Sequence, residues 1–280
     1  MLSGLRCRAP LVALLLLATV PAAPAFGWGA EGHRIVGAIA DELLDAPTRA
    51  ALRAIAGDRG LADIGLALDR DRRELEERLP GSSRWHYDNR PDCGPAVAPA
   101  RYCQDGACAS AAYAKYRAIL ADRRQSPADR FFALEVLVHV LADVHQPLHV
   151  ADHADRGGNS IKVALIAGRR PKPLHAAWDN DFVKRAMHGE RQDEFVHELL
   201  AEYAPARARI ARGNLSDWMD ESWRLAHDYA FGRLPRFACG NADPGFVRLG
   251  ADYADGAARI VREQLARAGI RLAAELKATL

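Results

Sequence analysis

Phe131-Phe132-Ala133-Leu134-Glu135-Val136-Leu137-Val138-His139-Val140-Leu141-Ala142-Asp143 is apolar around nearly the whole circumference of a helix, so it belongs in an interior rather than on a surface. Into that interior it sends His139 and Asp143, four residues apart and therefore one turn apart on the same face. A carboxylate left unpaired there costs on the order of several kcal/mol. A divalent cation that accepts both ligand types removes the cost, and His/Asp ligation suits zinc. His175 and Asp179 repeat the spacing, and His149 follows Gln146-Pro147-Leu148, where the proline ends the helix and turns the chain back.

Around this stretch the chain is of ordinary globular make-up. Its 280 residues are 49% hydrophobic and 26% charged, which excludes a disordered or collagenous chain and supplies enough material for a large core. The 38 basic and 36 acidic residues are interspersed, so neither a polybasic nucleic-acid arm nor a cationic membrane helix is present. Residues 1–27 read as a signal peptide: Arg6 and Arg8, an apolar run from Leu11 to Val20, then Ala25-Phe26-Gly27. Cleavage after Gly27 is expected to leave a mature chain of residues 28–280, secreted or periplasmic and without a membrane anchor. Losing Arg6 and Arg8 from 38 basic residues leaves 36 against 36 acidic ones, so the mature chain is formally neutral.

The periodicity is helical almost throughout. Ile35, Ile39, Leu43 and Leu44 mark a first helix, and Pro47 opens a second carrying Leu52 and Ile55. Further helices are predicted over Leu61 to Leu79, Ser110 to Ala121, Pro127 to Asp143, Ala177 to Met187, Asp193 to Arg212, Asp217 to Tyr229 and Pro244 to Ala268. A small β-hairpin is expected near residues 160–168, where a β-prone run precedes Ala167-Gly168. With no linker or repeat in view, one all-α, mainly helical domain is the expected fold. Cys93, Cys103, Cys108 and Cys239 remain after Cys7 leaves. Proximity suggests Cys103–Cys108 and Cys93–Cys239, although sequence alone allows other pairings and a thiolate zinc site competes. Of the remaining histidines, His145 is read as backing a ligand or structural rather than as a ligand, and His153, His188, His197 and His227 as solvated. Trp218 and Trp223 are assigned to the core.

Several motifs then appear in a fixed order: Trp28-Gly29-x-x-Gly32-His33, Trp85-His86-Tyr87, His139-x-x-x-Asp143, Gln146-Pro147-Leu148-His149, Gly157-Gly158-Asn159 and Leu174-His175-x-x-Trp178-Asp179. The set resembles the class I single-strand-specific zinc nucleases, which share a mainly helical fold with zinc phospholipase C, and the likeness covers essentially the whole mature chain. The resemblance implies three zinc ions in one cleft. One would be held by Asp69, His86, His139 and Asp143, and a second by the amine and carbonyl of Trp28 with His33 and the shared Asp143. The third would take His149, His175 and Asp179. The family's Trp-Ala-Asp-x-x-Arg motif reads Ala67-Leu68-Asp69-Arg70-Asp71-Arg72 here; the position of Arg72 favours Asp69 over Asp71 or Asp63 as the ligand.

The resemblance further implies hydrolysis of single-stranded DNA and RNA to 5′-phosphorylated products, with 3′-nucleotidase activity. Asp69, Asp143 and Arg72 are the expected catalytic residues. Three divalent cations against three carboxylates leave a positive excess, so that even a neutral chain can grip a phosphodiester; Arg72 would meet charge building on the phosphoryl oxygens. Tyr87 is the expected stacking aromatic, Asn89 the residue that bonds the base edge, and Asn159 a residue lining the cleft. Single-stranded nucleic acid and 3′-nucleotides are the expected substrates of a monomer with no obligate protein partner. The alternatives are a zinc-dependent phospholipase C, which Asp179 in place of the Glu typical of that branch disfavours, and a non-catalytic zinc-binding protein on the same fold.

Overall fold

The computed structural model describes residues 28–95, 97–165, 170–240 and 245–280. The signal peptide expected over residues 1–27 lies outside the described residues, as do 166–169 at the tip of the expected hairpin. In chain order, α1 (Ala30–Leu43) and α2 (Ala46–Ala56) lead into three short helices, α3 (Leu61–Ile64), α4 (Ala67–Arg70) and α5 (Arg72–Arg78). Then come strand β1 (Arg90–Pro91), α6 (Ala109–Ala121), α7 (Pro127–Asp143) and strands β2 (Ala151–Asp152), β3 (Lys162–Leu165) and β4 (Lys172–Pro173). The chain continues through α8 (Leu174–Ala176), α9 (Phe182–Ala186), α10 (Gln192–Glu202), α11 (Arg207–Ile210), α12 (Leu215–Leu225), β5 (Phe246–Leu249) and α13 (Ala251–Thr279).

The fold is mainly helical, as the periodicity predicts. Helix α7 runs over the predicted span: Ser126 caps it by accepting from the Asp129 N–H, Pro127 stands where a missing N–H costs nothing, and every residue from Val136 to Asp143 is buried. It forms the central post, with α6 packed along it and α1 and α13 crossing close by. The α1–α13 crossing is tight because Gly269 has no side chain; a Cβ there would lie 2.4 Å from Ile39 Cγ2.

Three predicted helices differ. The stretch from Leu61 to Leu79 is broken into α3, α4 and α5, because the Gly65 carbonyl bonds the His139 ring instead of continuing the helix; the break brings Asp69 inward. The stretch from Asp193 to Arg212 breaks at Ala204–Ala206 around Pro205, which has no N–H to give. Of the stretch predicted from Pro244, which itself lies outside the described residues, Phe246–Leu249 is a strand in which Val247 and Leu249 are buried while Phe246 and Arg248 are exposed. Its helix starts only at Ala251 and runs to Thr279.

The expected hairpin is present, β3 pairing antiparallel with β4, and β3 also takes β5 as a parallel neighbour. A second small sheet pairs β1 with β2. Cys93 is bonded to Cys239 and Cys103 to Cys108, so among the described residues no free thiol is left for a metal. Among the described residues no helix is long and apolar enough to cross a membrane.

Candidate metal centre

The apolar helix α7 fixes the site. His139 donates its Nδ1–H to the Gly65 carbonyl at 2.7 Å, which aims Nε2 inward. There Nε2 lies 2.9 Å from His86 Nδ1, 3.0 Å from Asp143 Oδ2 and 3.9 Å from Asp69 Oδ1. His86 Nδ1 is 3.1 Å from Asp143 Oδ2 and 3.7 Å from Asp69 Oδ1. The other oxygen of Asp143 points to His33, 3.2 Å from its Nε2, while the His33 ring stacks on His139 with centroids 4.0 Å apart. Asp71 instead forms an ion pair with Arg70 at the surface.

Trp28 is fully buried beside this group. Its indole N–H donates to the Ala142 carbonyl at 2.9 Å, and the Gly29 N–H donates to the Asp179 carbonyl at 3.0 Å. Trp28 therefore stands between the Asp143 end of α7 and the π-helical segment Ala177–Asp181 that carries Asp179.

His149, His175 and Asp179 gather next to it. His149 Nδ1–H donates to the His86 carbonyl and His175 Nδ1–H to the Gly157 carbonyl at 2.6 Å. The two Nε2 atoms consequently face each other at 3.0 Å. Burial holds the His149 pKa down at about 3 and that of His175 at about 4, so near neutral pH both inward nitrogens are bare lone pairs. Asp179 Oδ2 is 3.7 Å from His175 Nε2, and its Oδ1 accepts from Gln146 Nε2 at 2.7 Å. Burial pushes the Asp179 carboxyl well above its ordinary pKa.

These groups satisfy one another poorly as they stand. His33 Nδ1 and Nε2, Asp69 Oδ1 and Asp143 Oδ1 are buried without a hydrogen-bond partner, a rare condition for polar atoms in an interior. Burial opposes charge on His139, yet the neighbouring Asp143 and Asp69 carboxylates raise its pKa to about 9. Burial would likewise raise Asp143, but the His139 and His149 imidazoles draw it well below the ordinary value. Lone pairs facing lone pairs and carboxylates short of donors are what a divalent cation resolves, and the nitrogen and oxygen donor set fits zinc.

The remaining expected residues lie on segments next to the ligands in the chain. Arg72 donates to the Ser83 carbonyl at 2.9 Å, and its charge reaches His175. Tyr87 and Asn89 are half-buried on the segment following His86. Asn159 uses its amide to bond the Arg156 carbonyl within its own turn, at 2.8 Å.

A family model described as S1/P1 Nuclease matches residues 28–280. The chain belongs to the S1/P1 nuclease family. It is 31% identical over 277 residues to "Endonuclease 4" of Arabidopsis thaliana, covering 89% of this chain and 88% of the relative. It is 28% identical over 274 residues to "Nuclease S1" of Aspergillus oryzae, covering 90% of this chain and 91% of that one. Membership makes it a nuclease that hydrolyses phosphodiester bonds.

In this family member the supporting shell escaped sequence reasoning. Gln146 both fixes Asp179 and accepts the Leu148 N–H, at 2.6 Å; its only signal was its place in Gln146-Pro147-Leu148-His149. Gly157 orients His175 through its carbonyl, and a Cβ there would meet the Leu148 carbonyl at 2.5 Å. His153 is buried rather than solvated: Asp92 bridges it to His227, with ring Nδ1 distances of 3.2 and 3.0 Å. His145 is structural, its Nδ1–H on the Leu141 carbonyl and its Nε2 accepting from Arg271. Trp218 is buried, but Trp223 is only half-buried, since its N–H reaches outward to the Pro91 carbonyl.

Proposed function

We propose that this nuclease is an exported enzyme holding three zinc ions, which cuts single-stranded DNA and RNA to 5′-phosphorylated products and removes the phosphate of 3′-nucleotides. The observation that carries the metal reading is the His149–His175 pair, two neutral rings whose Nε2 lone pairs meet at 3.0 Å while both Nδ1–H groups are committed to carbonyls.

Asp69, His86, His139 and Asp143 would hold one ion, and His33, Asp143 and the amine and carbonyl of Trp28 a second. His149, His175 and Asp179 would hold the third. Bound there, zinc supplies Lewis acidity toward the phosphoryl oxygens and lowers the pKa of water. The Trp28 ligand requires removal of residues 1–27, and the family match beginning at Trp28 supports that cut.

The chain's own groups do the positioning. Asp143 presents one oxygen to the His86 and His139 side and the other to the His33 side, which makes it the shared ligand. Arg72, braced on the Ser83 carbonyl, holds a non-bridging phosphoryl oxygen and the charge that grows on it. Tyr87 stacks the base and Asn89 bonds its edge, a mode that needs an exposed π face and so selects unpaired strands. Asn159, on the turn whose Gly157 carbonyl orients His175, lines the cleft.

The deciding experiment incubates mature protein, its Trp28 start verified by mass, with a single-stranded oligonucleotide, its duplex and phosphatidylcholine, each with and without chelator. Chelator-sensitive cutting of the single strand to 5′-phosphate ends is expected. Turnover of the lipid alone would place the chain with the phospholipases, and inertness toward all three would leave a binding protein.

A further inference from the structure

Beyond the cluster a groove of about 290 Å³ runs between β1, the loop ending at Cys103 and α12. Its walls carry Tyr102 and Trp223, and Arg90, Asp220 and Arg224 edge it. We propose that this groove is a second nucleotide subsite, taking the base and phosphate next to the nucleotide held at Tyr87 and Asn89. The inference rests on the nuclease reading given above.

Four features point to that occupant. First, the groove adjoins the segment that carries Tyr87 and Asn89. The Asp88 N–H donates to the His149 carbonyl at 2.8 Å, and β1 then pairs with β2 just past His149. Arg90 lies three residues after Tyr87, a reach of at most about 10 Å. Second, Trp223 is an oriented plate. One face is stacked on His227, the rings 4° from parallel with centroids 5.3 Å apart, and its N–H is anchored on the Pro91 carbonyl at 3.2 Å. A ring held in this way offers a base a stacking surface at little entropic cost.

Third, the charge suits a phosphate. Arg90 is paired with Asp220 at 2.7 Å, whereas Arg224 is exposed and has no ion pair among the described residues. Fourth, the walls are pinned. Tyr102 precedes the Cys103–Cys108 disulfide, and Cys93, two residues past Pro91, is tied to Cys239. A groove of this size takes one base and not a duplex, in keeping with a single-stranded substrate.

The test measures steady-state cutting of a single-stranded decanucleotide by the mature zinc-loaded protein. Trp223→Ala is expected to raise KM about 5- to 150-fold with kcat within about twofold, the range set by loss of one stacked base. Trp223→Phe, which keeps a π face but not the N–H, is expected to restore most of the loss. Arg224→Ala, an exposed change that leaves folding untouched, is expected to reduce the slope of log KM against log salt by about 0.7.

An unchanged KM in Trp223→Ala, with the wild type active, overturns the subsite and leaves the nuclease reading intact. A wild type that cuts no single strand overturns both. If Trp223→Ala does not fold, Arg224→Ala decides: an unchanged KM and salt slope overturn the proposal.

Discussion

Gln146 shows what a neutral side chain does at a site dominated by charge. Its amide N–H holds one Asp179 oxygen while its own carbonyl is tied to the Leu148 N–H, so the carboxylate is oriented before any cation arrives. Groups behind a metal ligand are commonly worth about 10- to 100-fold in metal affinity. Gln146→Leu is therefore expected to weaken zinc at the His149, His175 and Asp179 group by about that factor, read by chelator competition; an unchanged affinity would make Gln146 a mere packing residue. His139 and Asp143 were legible because a His and an Asp on an apolar helix violate the hydrophobic pattern, and His175 and Asp179 because they repeat the spacing, whereas Trp28, His33, Asp69 and His86 stand on no such pattern and came only from the family resemblance. Gln146 breaks no such pattern, and the Gly65 and Gly157 carbonyls that set the ring orientations have no side chain to read. The fully buried Asp92, linking His153 and His227, was hidden in the same way, since its partners come from distant parts of the chain.

Elements were legible where one periodicity ruled. Helix α7 ran over its predicted span because cap, proline and apolar surface all agreed. Prediction failed where a tertiary bond overrode the local pattern, as at Gly65, or where a two-residue alternation hid inside a longer helical one, as at Val247 and Leu249. The connection that delivers His86 gives an element-scale expectation. Glu76 on α5 accepts the N–H groups of Gly81 and Ser83, at 2.9 and 2.7 Å. Those backbone bonds lower its pKa from 4.5 to about 2. A depressed carboxylate adds stability above its unfolded pKa and loses it as pH falls through the folded one. Glu76→Gln should therefore melt earlier than wild type at pH 7, and the gap should close between about pH 4.5 and pH 2. A gap that persists at pH 2 would deny the ionised carboxylate its role.

At the scale of the molecule, stability and site assembly depend on the same long-range ties. The Cys93–Cys239 bridge spans 146 residues and Cys103–Cys108 spans 5. On loop entropy, losing the first costs about 5 kcal/mol at most and losing the second about 2. Paired Cys→Ser variants compared by denaturant unfolding should rank in that order, and the reverse order would show that strain or residual structure dominates. Stripping the cations should lower the melting temperature by mass action, and zinc should restore it; a melting curve indifferent to chelator would mean the donors close on themselves. Trp28 gives these ties a biological direction. Its ring is wholly enclosed, with its N–H on the carbonyl next to Asp143, and under the proposed trimming its amine exists only once the leader is gone. On that proposal, an enzyme finished only by export, oxidation and trimming would stay unloaded inside its maker: the messenger RNA that encodes it is itself a single strand, and the precursor would be translated from that template without destroying it.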